Sequence, residues 1–234
     1  MGRAKEIIVK VIPAKVANEF VKKHHYSGKV VPNSTLHFGC FLDGKLHGVM
    51  SYGPSINKKG TINLVEGTKW NEFIELNRMA FDDYLPKYSE SRCIAISIKL
   101  IKKNAPQIKW VISFSDGTQC GDGTIYRASG FYLVGVVESG QVFNFNGEVV
   151  HGKTLWDKML VKGWTVSDSC MDKLRAKGHT IERLKGYQLK YIYLIDKSCK
   201  LTVPILPFSK IDELGAGMYK GEKVSLQDRQ AREV

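Results

Sequence analysis

The sequence predicts an α/β domain with a mixed sheet, and three observations support this fold class. Segments with alternating apolar residues, typical of strands, are interspersed with segments of helical spacing. Two of the strand-like segments are joined by Asp43-Gly44, a strong signal for a β-hairpin. Apolar residues make up 43% of the 234-residue chain, which is enough for a packed core and excludes wholesale disorder.

The first half of the chain carries the clearest elements. EIIVKVIP predicts a strand, and AKVANEFVKKHHY follows it with helical spacing up to a terminus at Ser27-Gly28. TLHFGCFLD and KLHGVMSYG predict the two strands of the hairpin, residues 54–71 are predicted as a loop, and FIELNRMAF predicts another strand. SRCIAISIKLIKKN predicts a helix that Ser89 or Ser91 would cap at its N-terminus, with lysines in its last turn.

The second half begins with similar elements and then becomes less regular. KWVISFSD predicts a strand, TIYRASG a short helix ended by Gly130, and FYLVGVVE and VFNFNGEVVH two further strands. SCMDKLRAKG is a helix candidate and YIYLID a strand candidate. Because the pattern weakens after about residue 150, we expect one domain over residues 1–200 and a C-terminal extension over residues 201–234.

A glycine-rich turn joins the predicted strand WVISF to the short helix TIYRASG. Loop glycines let a backbone approach a partner closely, and polar residues at such turns frequently carry function. Asp116, at the end of this strand, is therefore a candidate for chemistry. The alternative is that Asp116 caps the turn, the usual role of aspartate before glycine.

The charge balance favours a polyanionic partner. The chain has 35 Lys and Arg against 23 Asp and Glu, and nucleic acid is the commonest cytoplasmic polyanion. Residues 1–50 hold 8 basic and 3 acidic residues, and residues 151–190 hold 9 and 4, so we expect a folded basic face built from two segments. Five cysteines without a C-x-x-C pair indicate a reduced, cytoplasmic protein. No apolar run reaches about 18 residues, so we expect no membrane partner.

Four blocks of sequence, in order along the chain, resemble the Mom-type DNA modification proteins of bacteriophages. They are HHYSG at 24–28, HFGCFLDGKLHGVMSYG at 37–53, ELNRMAF at 75–81 and SDGTQCGDGTIYRASGFYLVG at 115–135. This family is a divergent branch of the GCN5-related N-acetyltransferase superfamily, so the resemblance implies a mixed, mostly antiparallel sheet flanked by helices, with a C-terminal extension. It also implies transfer of a carbamoylmethyl group to N6 of adenine in phage DNA. This modification protects the DNA from restriction in the bacterial host cytoplasm.

The family's functional pattern falls on His25, Tyr26, Arg78, Asp116 and Tyr126. By this resemblance Asp116 would accept or orient the proton of the adenine amine, and Tyr126 or Tyr26 would donate to a developing negative charge. Arg78 would hold a phosphate or a carboxylate. The family has been associated with iron, for which His25, Tyr26, Asp116 and Tyr126 are the candidate ligands.

The residues alone leave purely structural interpretations open for three of these positions. His25 and Tyr26 would then simply pack and hydrogen-bond where the first helix ends. Arg78 would form an ordinary surface ion pair with Glu75 or Asp82.

The donor site departs from the pattern of the superfamily. Its acetyltransferases hold the pyrophosphate of coenzyme A with a glycine-containing loop, but the corresponding PKYSESRCIAI contains no glycine. Ser89, Ser91 and Arg92, at the start of the predicted helix, are the candidates to bind the phosphates instead. Two alternatives stay open: the donor is acetyl-CoA held in a different way, or it is a related donor other than acetyl-CoA.

A DNA substrate imposes further requirements. N6 of adenine is hydrogen-bonded inside double-stranded DNA, so the adenine must be flipped out. We expect Lys22, Lys23 and Lys29 to contact phosphates. Further candidates are, for phosphates, Lys58, Lys59 and the KLRAKGHTIERLKG segment, and, for the pocket walls, Trp70, Tyr84 and Tyr88.

Two other functions stay open at this point. One is an acyl-CoA-dependent N-acyltransferase that acts on a protein or a small amine. The other is a non-catalytic DNA-binding anti-restriction protein. The sequence does not predict the oligomeric state.

Overall fold

The computed structural model describes residues 2–117, 121–163, 165–184 and 186–215. The described residues fall into two compact units. The first unit takes its residues from 1–114, 123–135 and 190–207, and the second takes them from 115–122, 136–189 and 208–215. Residues 216–234 of the predicted C-terminal extension lie outside the described residues.

The regular elements are ten strands and seven α-helices within the described ranges. The strands are β1 (Ile8–Val11), β2 (Leu36–Leu42), β3 (Lys45–Gly53), β4 (Phe73–Phe81), β5 (Trp110–Asp116), β6 (Tyr132–Glu138), β7 (Val142–Phe145), β8 (Glu148–His151), β9 (Ile181–Arg183) and β10 (Tyr187–Leu194). The helices are α1 (Ala14–His24), α2 (Lys58–Ile62), α3 (Ser89–Asn104), α4 (Thr124–Ala128), α5 (Gly152–Asp157), α6 (Asp168–Ala176) and α7 (Ser209–Glu213). A 3₁₀ turn over Arg3–Glu6 precedes β1.

Seven strands form the main sheet, in the order β1-β2-β3-β4-β5-β10-β6. The pairs β1–β2, β2–β3 and β3–β4 are antiparallel, and β4–β5 is parallel. The predicted mixed, mostly antiparallel sheet flanked by helices is therefore confirmed. The predicted hairpin is confirmed as well, because Asp43 and Gly44 both adopt the positive φ that a tight two-residue turn requires.

Helix α3 forms where the sequence predicts it, but its N-terminus differs. Its buried positions include Cys93, Ile94, Ile98 and Ile101, a helical spacing that directs one face to the core. The predicted serine cap is wrong, because the capping position is Tyr88 in a left-handed conformation, with no side-chain cap hydrogen bond.

The second unit contains elements that sequence reasoning missed. VFNFNGEVVH is not one strand but the hairpin β7–β8, turned by Asn146 and Gly147 with φ of 51° and 87°. Strand β9 pairs with the other side of β7, and helices α5 and α6 flank this small sheet. These elements share an apolar core: Phe143, Phe145, Val150, Leu155, Val166, Met171, Leu174 and Ile181.

Residues 201–207 belong to the first unit. The Leu206 N–H donates to the carbonyl of Leu133, and the Thr202 N–H donates to the carbonyl of Leu64. The predicted division at residue 200 stays a prediction for the chain as a whole. Within the described ranges, no helix combines the length and apolar character that a membrane span requires.

Candidate active site

The centre of the main sheet has a place where two parallel strands stop pairing. The register between β4 and β5 runs from Phe73↔Trp110 to Leu76↔Ser113, although β4 continues to Phe81 and β5 to Asp116. At the last pair, the Ser113 hydroxyl donates to the carbonyl of Leu76 over 3.1 Å. Beyond this pair, β4 and β5 no longer bond to each other, so the backbone N–H and C=O groups on their facing edges need partners from outside these two strands.

His25 follows directly on α1 and is locked in one orientation. Its Nδ1 accepts the Ser27 backbone N–H at 3.1 Å and lies 2.8 Å from the Ser27 hydroxyl. Gly28, with φ of 58°, allows the turn that brings its own N–H to the carbonyl of His25. Burial first, and the charge of Arg78 second, lower the pKa of His25 from 6.5 to about 4. The ring is therefore neutral at physiological pH, and with Nδ1 accepting from a backbone amide it carries its proton on Nε2.

Arg78 is fixed by backbone carbonyls rather than by the predicted carboxylates. Its Nε donates to the carbonyl of Lys29 and its Nη1 to the carbonyl of Asn77, each over 3.0 Å. Asp82, one of the expected partners, lies 2.9 Å from His47 Nδ1 instead. The guanidinium thus ties β4 to the segment after α1 and keeps His25 and Arg78 close together.

Glu75 is a functional candidate that sequence reasoning considered only as an ion-pair partner. Burial raises the pKa of its carboxyl, against the opposing effects of the Ser55 hydroxyl, the Asn77 amide, the Arg78 guanidinium and the Ile56 backbone N–H. No local signal identifies this environment, since Ser55 and Ile56 belong to the segment after β3. A carboxyl with a raised pKa suits proton transfer near neutral pH.

Tyr126 lies in a buried aromatic group on α4. Its ring centroid is 5.4 Å from that of Phe131 and 5.2 Å from that of Tyr191. Burial raises the pKa of Tyr52, and Tyr126 adds a smaller contribution. The partner of Tyr52 on β4 is Leu76, the last residue paired with β5. Gly123 precedes α4 with φ of 73°, and a side chain there would meet the ring of Tyr191.

The remaining predicted catalytic residues occupy different surroundings. Tyr26 is 52% exposed, and its ring centroid lies 4.3 Å from that of His25. Asp116 is the last residue of β5 and belongs to the second unit. The structure therefore brings together His25, Tyr26 and Arg78, and it adds Glu75.

A basic groove lies at the N-terminal half of α3. Its volume is about 610 Å³, and two of the three predicted phosphate-binding residues, Ser91 and Arg92, line it. Ser89 does not line it, because this residue is buried and its hydroxyl donates to the carbonyl of Pro86. The other lining residues are Gly2, Ala4, Lys5, Lys87, Tyr88, Ala95, Ile96, Lys99, Ala128 and Ser129.

The groove fits an anionic donor. Four cationic side chains and no carboxylate line it, and the Nε of Arg92 is buried without a hydrogen-bond partner. A buried guanidinium N–H without an acceptor is costly, and a phosphate oxygen is the acceptor that it matches best. The groove thus offers side-chain cations, rather than the backbone of a glycine-containing loop, to an anion.

The predicted iron ligands do not fit a metal site. His25 Nδ1 is engaged by Ser27 and its Nε2 carries the proton, so the ring offers no lone pair to a metal ion. Across the described ranges, no three His, Cys, Asp or Glu side chains are grouped as a metal ion would require.

The basic surplus is confined to the first unit. Its stretches of sequence hold 22 Lys and Arg against 10 Asp and Glu, whereas those of the second unit hold 13 of each. In KLRAKGHTIERLKG, Arg175 pairs with Asp172 and Arg183 with Asp168, and its contact with DNA stays a prediction. The predicted DNA contacts Lys22, Lys23 and Lys29 lie on the first unit and are exposed.

Comparison with known proteins identifies the family. The family model of the Mom protein family matches residues 6–210. The chain belongs to the Mom family. One relative is the methylcarbamoylase mom of Escherichia phage Mu, 37% identical over 153 residues, which are 65% of this chain and 63% of the relative. The matched part therefore spans less than two thirds of that protein.

Solved structures with a similar fold are acetyltransferases. A polyamine N-acetyltransferase of Drosophila melanogaster has a TM-score of 0.47 and 9% identity, over 80% of this Mom family chain and 99% of that chain. A spermidine/spermine N-acetyltransferase of Vibrio cholerae has a TM-score of 0.46 and 8% identity, over 84% and 97%. An acetyltransferase of Bacillus subtilis in complex with CoA has a TM-score of 0.44 and 8% identity, over 79% and 97%.

Proposed function

We propose that this Mom family member is a DNA-modifying transferase. It would place a carbamoylmethyl group on N6 of adenine and so protect phage DNA from restriction. The observation that carries the proposal is that one unit combines the whole basic surplus, the donor groove and the group of His25, Arg78 and Glu75. The relative in phage Mu, named a methylcarbamoylase, supports the identity of the transferred group.

The donor would be held by side chains of the basic groove. Arg92 and Ser91 lie at the start of α3, where the helix dipole also favours an anion. Lys87 and Lys99 add charge from the same region, and Lys5 adds it from the 3₁₀ turn. The groove would hold the anionic part of such a donor; because a carbamoylmethyl group is bonded through its methylene carbon, the transferred group is not the acyl group of acetyl-CoA itself.

The acceptor needs help, because the lone pair of an exocyclic adenine amine is delocalised into the ring. A carboxylate that accepts its proton during bond formation lowers the barrier. Asp116 is the candidate from the family pattern. Glu75 is a second candidate, because burial raises the pKa of its carboxyl and makes it a stronger base once ionised. His25 would donate a hydrogen bond from Nε2, and Arg78 would keep this group in place.

Mass spectrometry of nucleosides from plasmid DNA of expressing bacteria tests this proposal. We expect a new adenosine species, heavier by a carbamoylmethyl group, with wild-type protein. Asp116→Ala and Glu75→Gln should lower its amount about 100-fold or more if each carboxylate moves the proton. Asp83→Ala, which removes an exposed carboxylate of the first unit, is the matched control and should change nothing.

Two results would contradict the proposal. Unmodified adenine from folded, well-expressed wild-type protein would exclude the transferase activity in that host. Full modification by both carboxylate variants would keep the activity and reject the roles given to Asp116 and Glu75.

A further inference from the structure

An exposed surface of the first unit follows strand β3. Ile56 is 79% exposed there, and Trp70 is 58% exposed. Lys58 Nζ lies 3.8 Å from the centroid of the Trp70 ring, and Lys59 is exposed beside it. We call these four residues the Ile56 surface.

The segment that carries Ile56 is held by hydrogen bonds on both sides of this residue. The Asn33 side chain donates to the carbonyl of Pro54 over 2.6 Å, and the Asn57 side chain accepts the N–H of Gly60 at the start of α2. Ser55, between them, is buried, and its hydroxyl lies 3.3 Å from that of Thr61. Because the backbone is held, Ile56 cannot easily turn inward to bury its side chain, and its exposure is a property of the fold.

The end of β3, just before the segment that carries Ile56, is tightly packed. A side chain at Gly53 would lie 2.8 Å from Ser34 Cα and 2.9 Å from Asn77 Oδ1. The segment that carries Ile56 is therefore packed against β4 and the residues before β2. Such preorganisation is what a side chain needs if it is to enter a partner at a defined position.

The Ile56 surface adjoins the candidate active site. The backbone N–H of Ile56 and the hydroxyl of Ser55 act on the carboxyl of Glu75, which also lies in the field of Arg78. The residue that carries this exposed apolar side chain is thus next to Glu75, one of the residues that would handle the adenine amine.

The charge around Ile56 suits DNA. Between Asp43 and Glu66 the chain contains three lysines and no acidic residue, and the whole unit has a surplus of 12 positive charges. An apolar side chain with flanking cations is the combination by which proteins open a base step while they hold the adjacent phosphates.

We propose that Ile56 inserts into the base stack of double-stranded DNA, where it occupies the space that the flipped adenine leaves. Lys58 and Lys59 hold the flanking phosphates, and Trp70 keeps the ammonium of Lys58 in position through its ring face. This inference rests on the proposed function for its substrate. It adds the element that keeps the adenine out of the stack.

Fluorescence of 2-aminopurine tests the insertion without any need for catalysis. The probe is a DNA duplex in which part of the adenines are replaced by 2-aminopurine, whose emission rises when the base leaves the stack. Wild-type protein should raise the emission. At saturating protein, Ile56→Ala should give less than about half of that rise, while Ile56→Leu, which still fills the step, keeps most of it.

Ile205→Ala is the matched control. Ile205 is an exposed isoleucine of the same unit, with 55% of its surface accessible, and its replacement should leave the emission at the wild-type level. Circular dichroism verifies that each variant is folded. An emission rise with Ile56→Ala equal to that with wild-type protein, or no rise with wild-type protein, would overturn the inference.

Nucleoside mass spectrometry then separates this inference from the proposed function. Ile56→Ala should lower adenine modification in expressing cells about tenfold, because opening a base step costs a few kcal/mol. Modification by Ile56→Ala at the wild-type level would overturn the insertion and leave the transferase intact. A rise of emission that depends on Ile56, without any modified adenine from wild-type protein, would support the insertion and reject the transferase.

Discussion

Replacing Gly123 with alanine tests how tightly the helix that carries Tyr126 is seated on the sheet. Gly123 has φ of 73°, and an added Cβ would lie 2.6 Å from Cζ and 2.6 Å from the hydroxyl oxygen of the Tyr191 ring. Tyr191 is fully buried, so its ring cannot move aside into solvent. The left-handed conformation costs about 1–2 kcal/mol for alanine, and overpacking a core costs about 1–3 kcal/mol. We therefore expect Gly123→Ala to lower the free energy of unfolding by about 2–5 kcal/mol.

Gly67→Ala is the control that separates the two contributions. Gly67 also has a positive φ, of 62°, but no atom lies within 4 Å of an added Cβ. It should cost only the conformational part, about 1–2 kcal/mol. Urea unfolding followed by circular dichroism measures both variants against wild type. Equal losses for Gly123→Ala and Gly67→Ala would refute the steric argument and the tight packing of α4 on Tyr191.

Three further predictions concern the site and its surroundings. His25→Gln should flatten the acid loss of stability between about pH 6.5 and pH 4, measured as the urea midpoint. The unfolded chain takes up a proton below pH 6.5, whereas the folded ring, with its pKa near 4, does not, so acid favours unfolding. Lys22→Glu with Lys23→Glu should weaken duplex binding about tenfold or more at low salt, by fluorescence anisotropy, with little change of sequence preference. Arg92→Ala should weaken binding of coenzyme A about tenfold in calorimetry, because a charge-assisted hydrogen bond to phosphate is lost.

Each of these predictions has a matched comparison. For the lysines, Lys158→Glu with Lys162→Glu makes the same charge change on exposed positions of the second unit, and an equal loss of affinity would contradict a specific surface. For Arg92, Arg3→Ala removes an exposed arginine that pairs with Glu6 and Asp43, and an equal effect on coenzyme A would contradict the groove. For His25, a urea midpoint of His25→Gln that falls with acid as steeply as that of wild type would show that another group causes the loss of stability.

Local patterns predicted the elements whose signals lie within a few residues. β4 spans FIELNRMAF as its alternation indicates, and the Asp43-Gly44 turn is where the dipeptide places it. The hairpin β7–β8 was missed although Asn146-Gly147 carries the same kind of signal, because the apolar residues on both sides also fit one continuous strand. Helix α2 has five residues, too few to show a period.

Burial and proximity between distant segments were not predictable in this way. Nothing in the local sequence sets the carboxyl of Glu75 apart from that of another glutamate in a strand; its surroundings do, through Ser55, Asn77 and Arg78. The cap of α3 fell on Tyr88 rather than on a serine, because the chain enters this helix in a left-handed conformation. Such features depend on how segments meet, which residue type and spacing do not encode.

The α/β class, the total basic surplus, the family blocks and the five residues of the family pattern can all be read from the amino-acid sequence alone. That the entire surplus lies on one unit depends on the fold, since this unit is assembled from three separate stretches of chain. The fold also decides that His25 is neutral and that Glu75 adjoins Arg78 and Ile56. The physical reason is that protonation, exposure and charge density depend on the solvent and the neighbours that each group loses or gains when remote segments pack together.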